Sequence, residues 1–169
     1  PTSLWPLVQA GLKPKFVDIN SKTLNVDAKT LISKINKNTK LIMLINVLGT
    51  STEIQKIIDI AKKKKIIVIE DNCESLGATY ADKYAGTFGL MGTFSSFFSH
   101  HIATMEGGCI LTDDEEIYHI LLSMRAHGWT RNLPKNNLVT GVKSDDDFEE
   151  SFRFVLPGYN VRPLEMSGA

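Results

Sequence analysis

Residues 40–71, KLIMLINVLGTSTEIQKIIDIAKKKKIIVIED, decide the fold. The opening run, Lys40 to Asn46, is continuously apolar, as in a strand buried on both faces. Thr52 follows as a candidate helix cap, and Ile54, Ile57, Ile58 and Ala61 recur at helical spacing. Ile66 to Ile69 is a second apolar strand, closed by Glu70 and Asp71. Strand, helix and strand in this order predict a parallel pair joined by a right-handed crossover. Ligands of such sheets bind beyond the carboxyl ends of the strands. Asp71 falls at such an end, as do Asp18 and Asn46, to which no role is assigned.

Working outward, the same alternation extends towards residue 1. Pro14 to Asp18 reads as a short strand, and Asp27 opens a helical pattern carrying Leu31, Ile32 and Ile35. Before them, Leu4, Trp5, Leu7 and Val8 form a helical turn that Gly11 ends. Beyond residue 78, short strands alternate with glycine-rich turns at 83–86, 92–97 and 108–112. Asp113 and Asp114 cap a helix with Ile117, Ile120, Leu121 and Met124 on one face. Residues 126–160 are loop-rich, and a connection of that length points to function or to support from a partner. The expected class is α/β with a mostly parallel sheet and helices on its faces.

Composition narrows the function. With 43% hydrophobic and 22% charged residues, the 169-residue chain suits one folded core. A formal net charge of +0 gives no reason to expect a nucleic-acid or acidic-membrane partner. The basic run Lys62 to Lys65 sits where a helix ends and favours cations. No apolar run reaches the roughly 18 residues of a membrane helix. Cys73 and Cys109 read as buried free thiols of a cytoplasmic protein. The chain opens at Pro1 and closes at Ala169 as a helix begins, so it is expected to be a fragment.

Three motifs carry chemistry. Asp71, at the tip of a buried strand, suits a cleft cation such as a protonated pyridine nitrogen, although acidic strand ends are also common as solvated groups. Thr93 to His101 follows a strand with hydroxyls that can bind phosphate and with His100, which can move protons near neutral pH. His100 and His101 alone do not make a metal site, because no third ligand stands at a recognised spacing. Gly107 and Gly108 mark a tight turn before a strand.

Taken in order, "E-D-x-C-x-S-x-G-A" from Glu70, "A-G-T-F-G-x-x-G-T-F-S" from Ala85 and "E-G-G-x-x-x-T-D-D" from Glu106 resemble the DegT/DnrJ/EryC1/StrS sugar aminotransferase family over essentially the whole chain. The resemblance implies the aspartate-aminotransferase-like fold of pyridoxal-phosphate (PLP) fold type I. That fold has a three-layer large domain, of which residues 1–169 would be the central part. The family's N-terminal phosphate-binding segment and small C-terminal domain would lie outside it.

Eight residues before the second glycine of the E-G-G turn the family keeps its cofactor lysine, and here that position is His100. An imidazole does not form a stable Schiff base, so the cofactor, PLP or pyridoxamine phosphate (PMP), would be held non-covalently. The same replacement marks the family's sugar 3-dehydratases. Two cysteines are too few for the iron–sulfur type, which needs four ligands. The resemblance implies instead removal of the 3-hydroxyl of a GDP-linked 4-keto-6-deoxyhexose in dideoxysugar (O-antigen) biosynthesis. L-glutamate would be the amine donor, and a homodimer would share its active sites.

Position by position, the resemblance gives Asp71 to the pyridine nitrogen, Glu74 to the ring, Ser95 to the cofactor phosphate and His100 to acid–base work. Asn160 would reach the phosphate of the neighbouring subunit's cofactor, and His127 and Arg131 would lie near the sugar nucleotide. Two alternatives remain. One is an aminotransferase using His100 or a displaced lysine, although none occurs between Lys83 and Lys135. The other is a non-catalytic relative.

Overall fold

A computed structural model describes residues 2–168. They form two compact units that divide between Leu111 and Thr112.

The first unit opens with helix α1 (Trp5–Gln9), which Gly11 ends in a left-handed conformation, as its sequence requires. Helix α2 (Ala28–Lys34) starts at Asp27, whose carboxylate accepts the Thr30 N–H at 2.7 Å. That bond stabilises the ionised form and lowers the Asp27 pKa. Strand β1 (Leu41–Ile45), helix α3 (Ile54–Lys64) and strand β2 (Ile67–Asp71) reproduce the expected β-α-β unit. Lys62, Lys63 and Lys64 occupy the last turn of α3.

A hairpin of β3 (Thr79–Tyr80) and β4 (Lys83–Tyr84) leads to β5 (Met91–Ser95) and β6 (Gly108–Leu111). The main sheet runs β1-β2-β5-β6, with the first three strands parallel and β6 antiparallel. Its core lies on one face. Ile42, Leu44 and Val68 pack there against Ala28 and Leu31 of α2 and Ile54, Ile57, Ile58 and Ala61 of α3.

Four expectations need correction. Pro14 to Asp18 joins no ladder. Pro14 lacks an N–H, Phe16 points outward at 74% exposed, and only Val17 reaches the core. Lys40 to Asn46 is covered on one face rather than two, because α2 and α3 both pack on the Leu44 side and leave Ile45 at 45% exposed. Thr52 does not cap α3. The N-cap is Glu53 without a side-chain bond, and the buried Thr52 hydroxyl has no partner. Cys73 is half-buried and Cys109 exposed, since β6 is the last strand of the sheet.

The second unit contains α4 (Glu115–Met124), capped by Asp114 through the Ile117 N–H at 2.9 Å. A short β7–β8 hairpin (Asn136–Asn137, Gly141–Val142) and helix α5 (Asp147–Phe152) follow. The loop-rich stretch is therefore braced from within. Glu150 is its buried centre, accepting the Thr130 hydroxyl at 2.6 Å, the Ser144 N–H at 2.8 Å and Arg153 Nη1 at 3.1 Å. The Thr130 hydroxyl above all, helped by Ser144 and Arg153, holds the Glu150 carboxyl below its ordinary range.

Candidate active site

The parallel strands β1, β2 and β5 end side by side. Register pairs Ile45 with Asp71 and Asp71 with Thr93. Side chains alternate along a strand, so Asp71, Thr93 and Ser95 share one face. It is the face opposite the α2–α3 core, with Ile45 and Ile67 as its exposed apolar neighbours.

The loops that leave these three strand ends wall a cleft of about 600 Å³. Leu48 and Gly49 come from the loop after β1, Glu74 from the loop after β2, and Ser99, His100 and His101 from the loop after β5. The first two loops are tied directly by the Gly49 N–H to the Glu74 carbonyl at 2.8 Å. The structure thus gathers Glu74 and His100 around the cleft and Asp71 and Ser95 on the adjoining sheet face. His101 lines the cleft together with His100, because residues 97–102 form turns and bends and do not alternate like a strand.

Asp71 is held at both oxygens. Oδ2 accepts the Ser3 hydroxyl at 2.6 Å and Oδ1 accepts the Cys73 N–H at 3.2 Å. The Cys73 thiol is pushed up to about 12, by burial first and then by its bond and charge contact with Asp71, so it stays protonated. Ser95 Oγ accepts the Phe97 N–H at 3.1 Å and so turns the chain out of β5.

The His100 loop is closed at its base. Ser96 Oγ and Thr104 Oγ1 meet at 2.7 Å, the Thr104 N–H reaches the Ser96 carbonyl at 2.8 Å, and the Ser96 N–H reaches the Gly107 carbonyl at 3.0 Å. Gly107 has φ +141, and a Cβ there would press on Ser96 Oγ at 2.7 Å, so this turn needs glycine. Within the loop, the His100 N–H bonds the Phe97 carbonyl at 3.0 Å and the two rings lie 6.1 Å apart.

Two supports went unread in the sequence. Glu70 is fully buried and accepts the N–H groups of Gly86, Phe88 and Gly89 at 2.6, 2.7 and 2.8 Å. Period-two alternation was the available signal, since it puts Glu70 on the core face with Val68. Asn46 and Asn72, both fully buried, join at 2.9 Å where the loops after β1 and β2 begin.

In the second unit, the Ala126–Asn160 bridge and the His127 N–H bond to the Tyr159 carbonyl, 2.9 Å, bring His127 and Asn160 close. Asn160 Oδ1 accepts Arg162 Nε and Nη2, each at 3.4 Å. Arg131 lies over the Trp129 ring at 5.1 Å, and Trp129 stacks on Phe154 at 5.4 Å. Gly128, with φ +84, allows the Leu156 carbonyl to approach where a Cβ would overlap it.

A carboxylate and a hydroxyl on one sheet face, beside a cleft bearing an imidazole and a second carboxylate, fit a phosphorylated pyridine: acid for the ring nitrogen, hydroxyl for the phosphate, acid–base group for the reacting end. Among the described residues, no three His, Cys, Asp or Glu side chains cluster to hold a metal, and no helix is long and apolar enough to cross a membrane.

The chain is similar to known proteins over nearly its whole length. GDP-4-keto-6-deoxy-D-mannose 3-dehydratase of Escherichia coli O55:H7 is 67% identical over 168 residues, covering 99% of this chain and 43% of that protein. A crystal structure of a GDP-4-keto-6-deoxymannose-3-dehydratase variant with bound GDP-perosamine is 66% identical, with a TM-score of 0.95 over 99% of this chain and 43% of its own. A second crystal structure, of GDP-4-keto-6-deoxymannose-3-dehydratase with a trapped PLP-glutamate geminal diamine, has the same identity, TM-score and coverage. The chain therefore spans 43% of the length of these relatives. Residues 2–169 match the DegT/DnrJ/EryC1/StrS aminotransferase family, and with the mostly parallel sheet and its strand-end site in place, the chain belongs to that family and has the α/β fold of its pyridoxal-phosphate enzymes.

Proposed function

We propose that a full-length protein carrying this chain is a PLP/PMP-dependent sugar-nucleotide 3-dehydratase. It removes the 3-hydroxyl of a GDP-4-keto-6-deoxyhexose in the cytoplasm, on the way to a dideoxysugar of an O-antigen. Residues 1–169 are the central part of its cofactor-binding large domain. One observation carries the reading: an imidazole, His100, stands in the cleft at the family's lysine position, with no lysine between Lys83 and Lys135. The names of the relatives support the substrate, and the PLP-glutamate adduct in one of them supports glutamate as amine donor.

Each residue has one task. Asp71 holds the ring nitrogen in its protonated form, Glu74 lies beside the ring, and Ser95 binds the phosphate. His100 moves the proton and assists departure of the 3-hydroxyl. Asn160 reaches the phosphate at the neighbouring subunit's site in a homodimer, and His127 and Arg131 contact the sugar nucleotide. When bound, the cofactor supplies an amine for the 4-keto carbon and a ring that stores electrons. Without a lysine amine to take over the cofactor, hydrolysis releases the keto sugar and ammonia.

The test incubates the full-length protein with PLP, glutamate and either GDP- or CDP-linked 4-keto-6-deoxysugar, and follows loss of the 3-hydroxyl by mass spectrometry. Turnover of the GDP sugar is expected; amine transfer to the sugar, or no reaction with either, refutes the reading. His100→Asn should lower turnover at least ~10²-fold while cofactor binding persists. His100→Lys should yield a borohydride-trapped cofactor adduct that the native protein does not give. A stable, active monomer in sedimentation would exclude the shared site.

A further inference from the structure

We propose that Ser3 is a positioning residue for Asp71, fixing the plane of its carboxylate so that one oxygen faces the ring nitrogen of the cofactor; this rests on the function proposed above. The two residues are 68 positions apart, yet Ser3 Oγ donates to Asp71 Oδ2 at 2.6 Å, the length of a charge-assisted O–H···O⁻ bond. Asp71 Oδ1 is bound separately, by the Cys73 N–H at 3.2 Å. Each carboxylate oxygen thus has one donor from the chain and keeps acceptor capacity for a second.

The neighbours on the sheet face leave this task to Ser3. Ile45, paired with Asp71 on one side, brings no donor. Thr93, paired on the other side, turns its hydroxyl to the Glu70 carbonyl at 3.5 Å. Asp71 is the last residue of β2, so its backbone is set by the sheet. The remaining freedom is rotation of the carboxylate about its own bond. The Cys73 N–H restrains one oxygen, and the Ser3 hydroxyl restrains the other. The protonated Cys73 thiol adds a weak donor on the same group. The bond also ties the segment ahead of α1 to the end of β2.

The experiment uses the full-length protein with PLP labelled with ¹⁵N in the ring. Nuclear magnetic resonance reads ring protonation at pH 8, and absorbance titration reads the PLP dissociation constant. Asp71→Asn should lose the protonated-nitrogen signal. Ser3→Ala should shift that signal towards the unprotonated value and weaken binding by roughly 3- to 10-fold, the effect of one hydrogen bond. Ser3→Thr, which keeps the hydroxyl, should restore both. If Asp71→Asn behaves as the native protein, the cofactor reading falls and this proposal with it. If Asp71→Asn loses the signal but Ser3→Ala keeps both native values, the cofactor reading stands and the role of Ser3 is refuted. Weaker binding by Ser3→Ala with an unchanged nitrogen signal assigns Ser3 to structure alone and also overturns the proposal.

Discussion

The Ser96 and Thr104 hydroxyls meet at 2.7 Å and close the base of the loop that carries His100. Between them, the His100 N–H to the Phe97 carbonyl, 3.0 Å, braces the imidazole's own backbone. The clasp sets where the loop bearing the imidazole stands, while Ser96 and Thr104 themselves lie outside the cleft lining. Thr104→Val in the full-length protein should lower kcat by about 10-fold with KM unchanged, since a displaced acid–base group costs rate and not binding. Thr104→Ser should recover it. Steady-state kinetics decide, and a rise in KM at constant kcat would argue against the clasp.

Glu70 predicts a stability effect without a chemical one. Its carboxylate takes three N–H groups of the 86–89 turn in a fully buried setting. Glu70→Ala leaves those donors unpaired, at roughly 1–3 kcal/mol each where they stay buried. Amide exchange at Gly86, Phe88 and Gly89 should accelerate by on the order of 10²-fold, equivalent to about 3 kcal/mol of local opening. Unchanged exchange would show that the turn holds without the carboxylate.

Cys73 predicts an unreactive thiol. Burial and the neighbouring Asp71 push it up to about 12, so the nucleophilic thiolate is scarce at neutral pH. Alkylation of Cys73 by iodoacetamide should stay slow through pH 9 and rise only towards pH 12. Half-maximal labelling in the ordinary thiol range, followed by mass spectrometry, would contradict the assignment.

Glu150 predicts an acid limit for the second unit. Its folded pKa lies below the unfolded value, so it stabilises above the ordinary glutamate range, near pH 4.3, and loses that contribution as pH falls through the folded pKa. Acid unfolding followed by circular dichroism should show this loss below about pH 4. Glu150→Gln should flatten that part of the profile. A native profile unchanged by the substitution would remove Glu150 from the account.

Much of this was legible in the sequence. The two apolar runs on either side of a helical pattern marked the β-α-β unit, because that alternation builds a parallel sheet with helices packed on it. Asp27 and Asp114 announced their helices through the chemistry of the first turn. His100 was singled out by counting back from the glycine turn as the family resemblance directs, and Ser95 was carried over from the same resemblance. Ser3 and Glu70 were not legible in the same way. A bond across 68 positions leaves no local pattern, and a charged residue next to Asp71 was read as part of a strand end. Thr52 misled for a local reason: its hydroxyl resembles a cap, but Asn46 binds its N–H at 3.0 Å and the helix starts one residue later.

The three loops that follow β1, β2 and β5 have a further consequence. Asp71 and Ser95, which are proposed to grip the cofactor, lie on strands, while His100 lies on a loop closed at its base by the Ser96–Thr104 contact. Grip and reactivity are therefore separable modules. On the proposed roles, exchanging one loop side chain for another would change which proton moves and whether a covalent tether forms, without altering a residue of the strands. On that proposal, a transferase and a dehydratase would differ at a single codon in their central group, and divergence between them would require no rebuilding of the sheet.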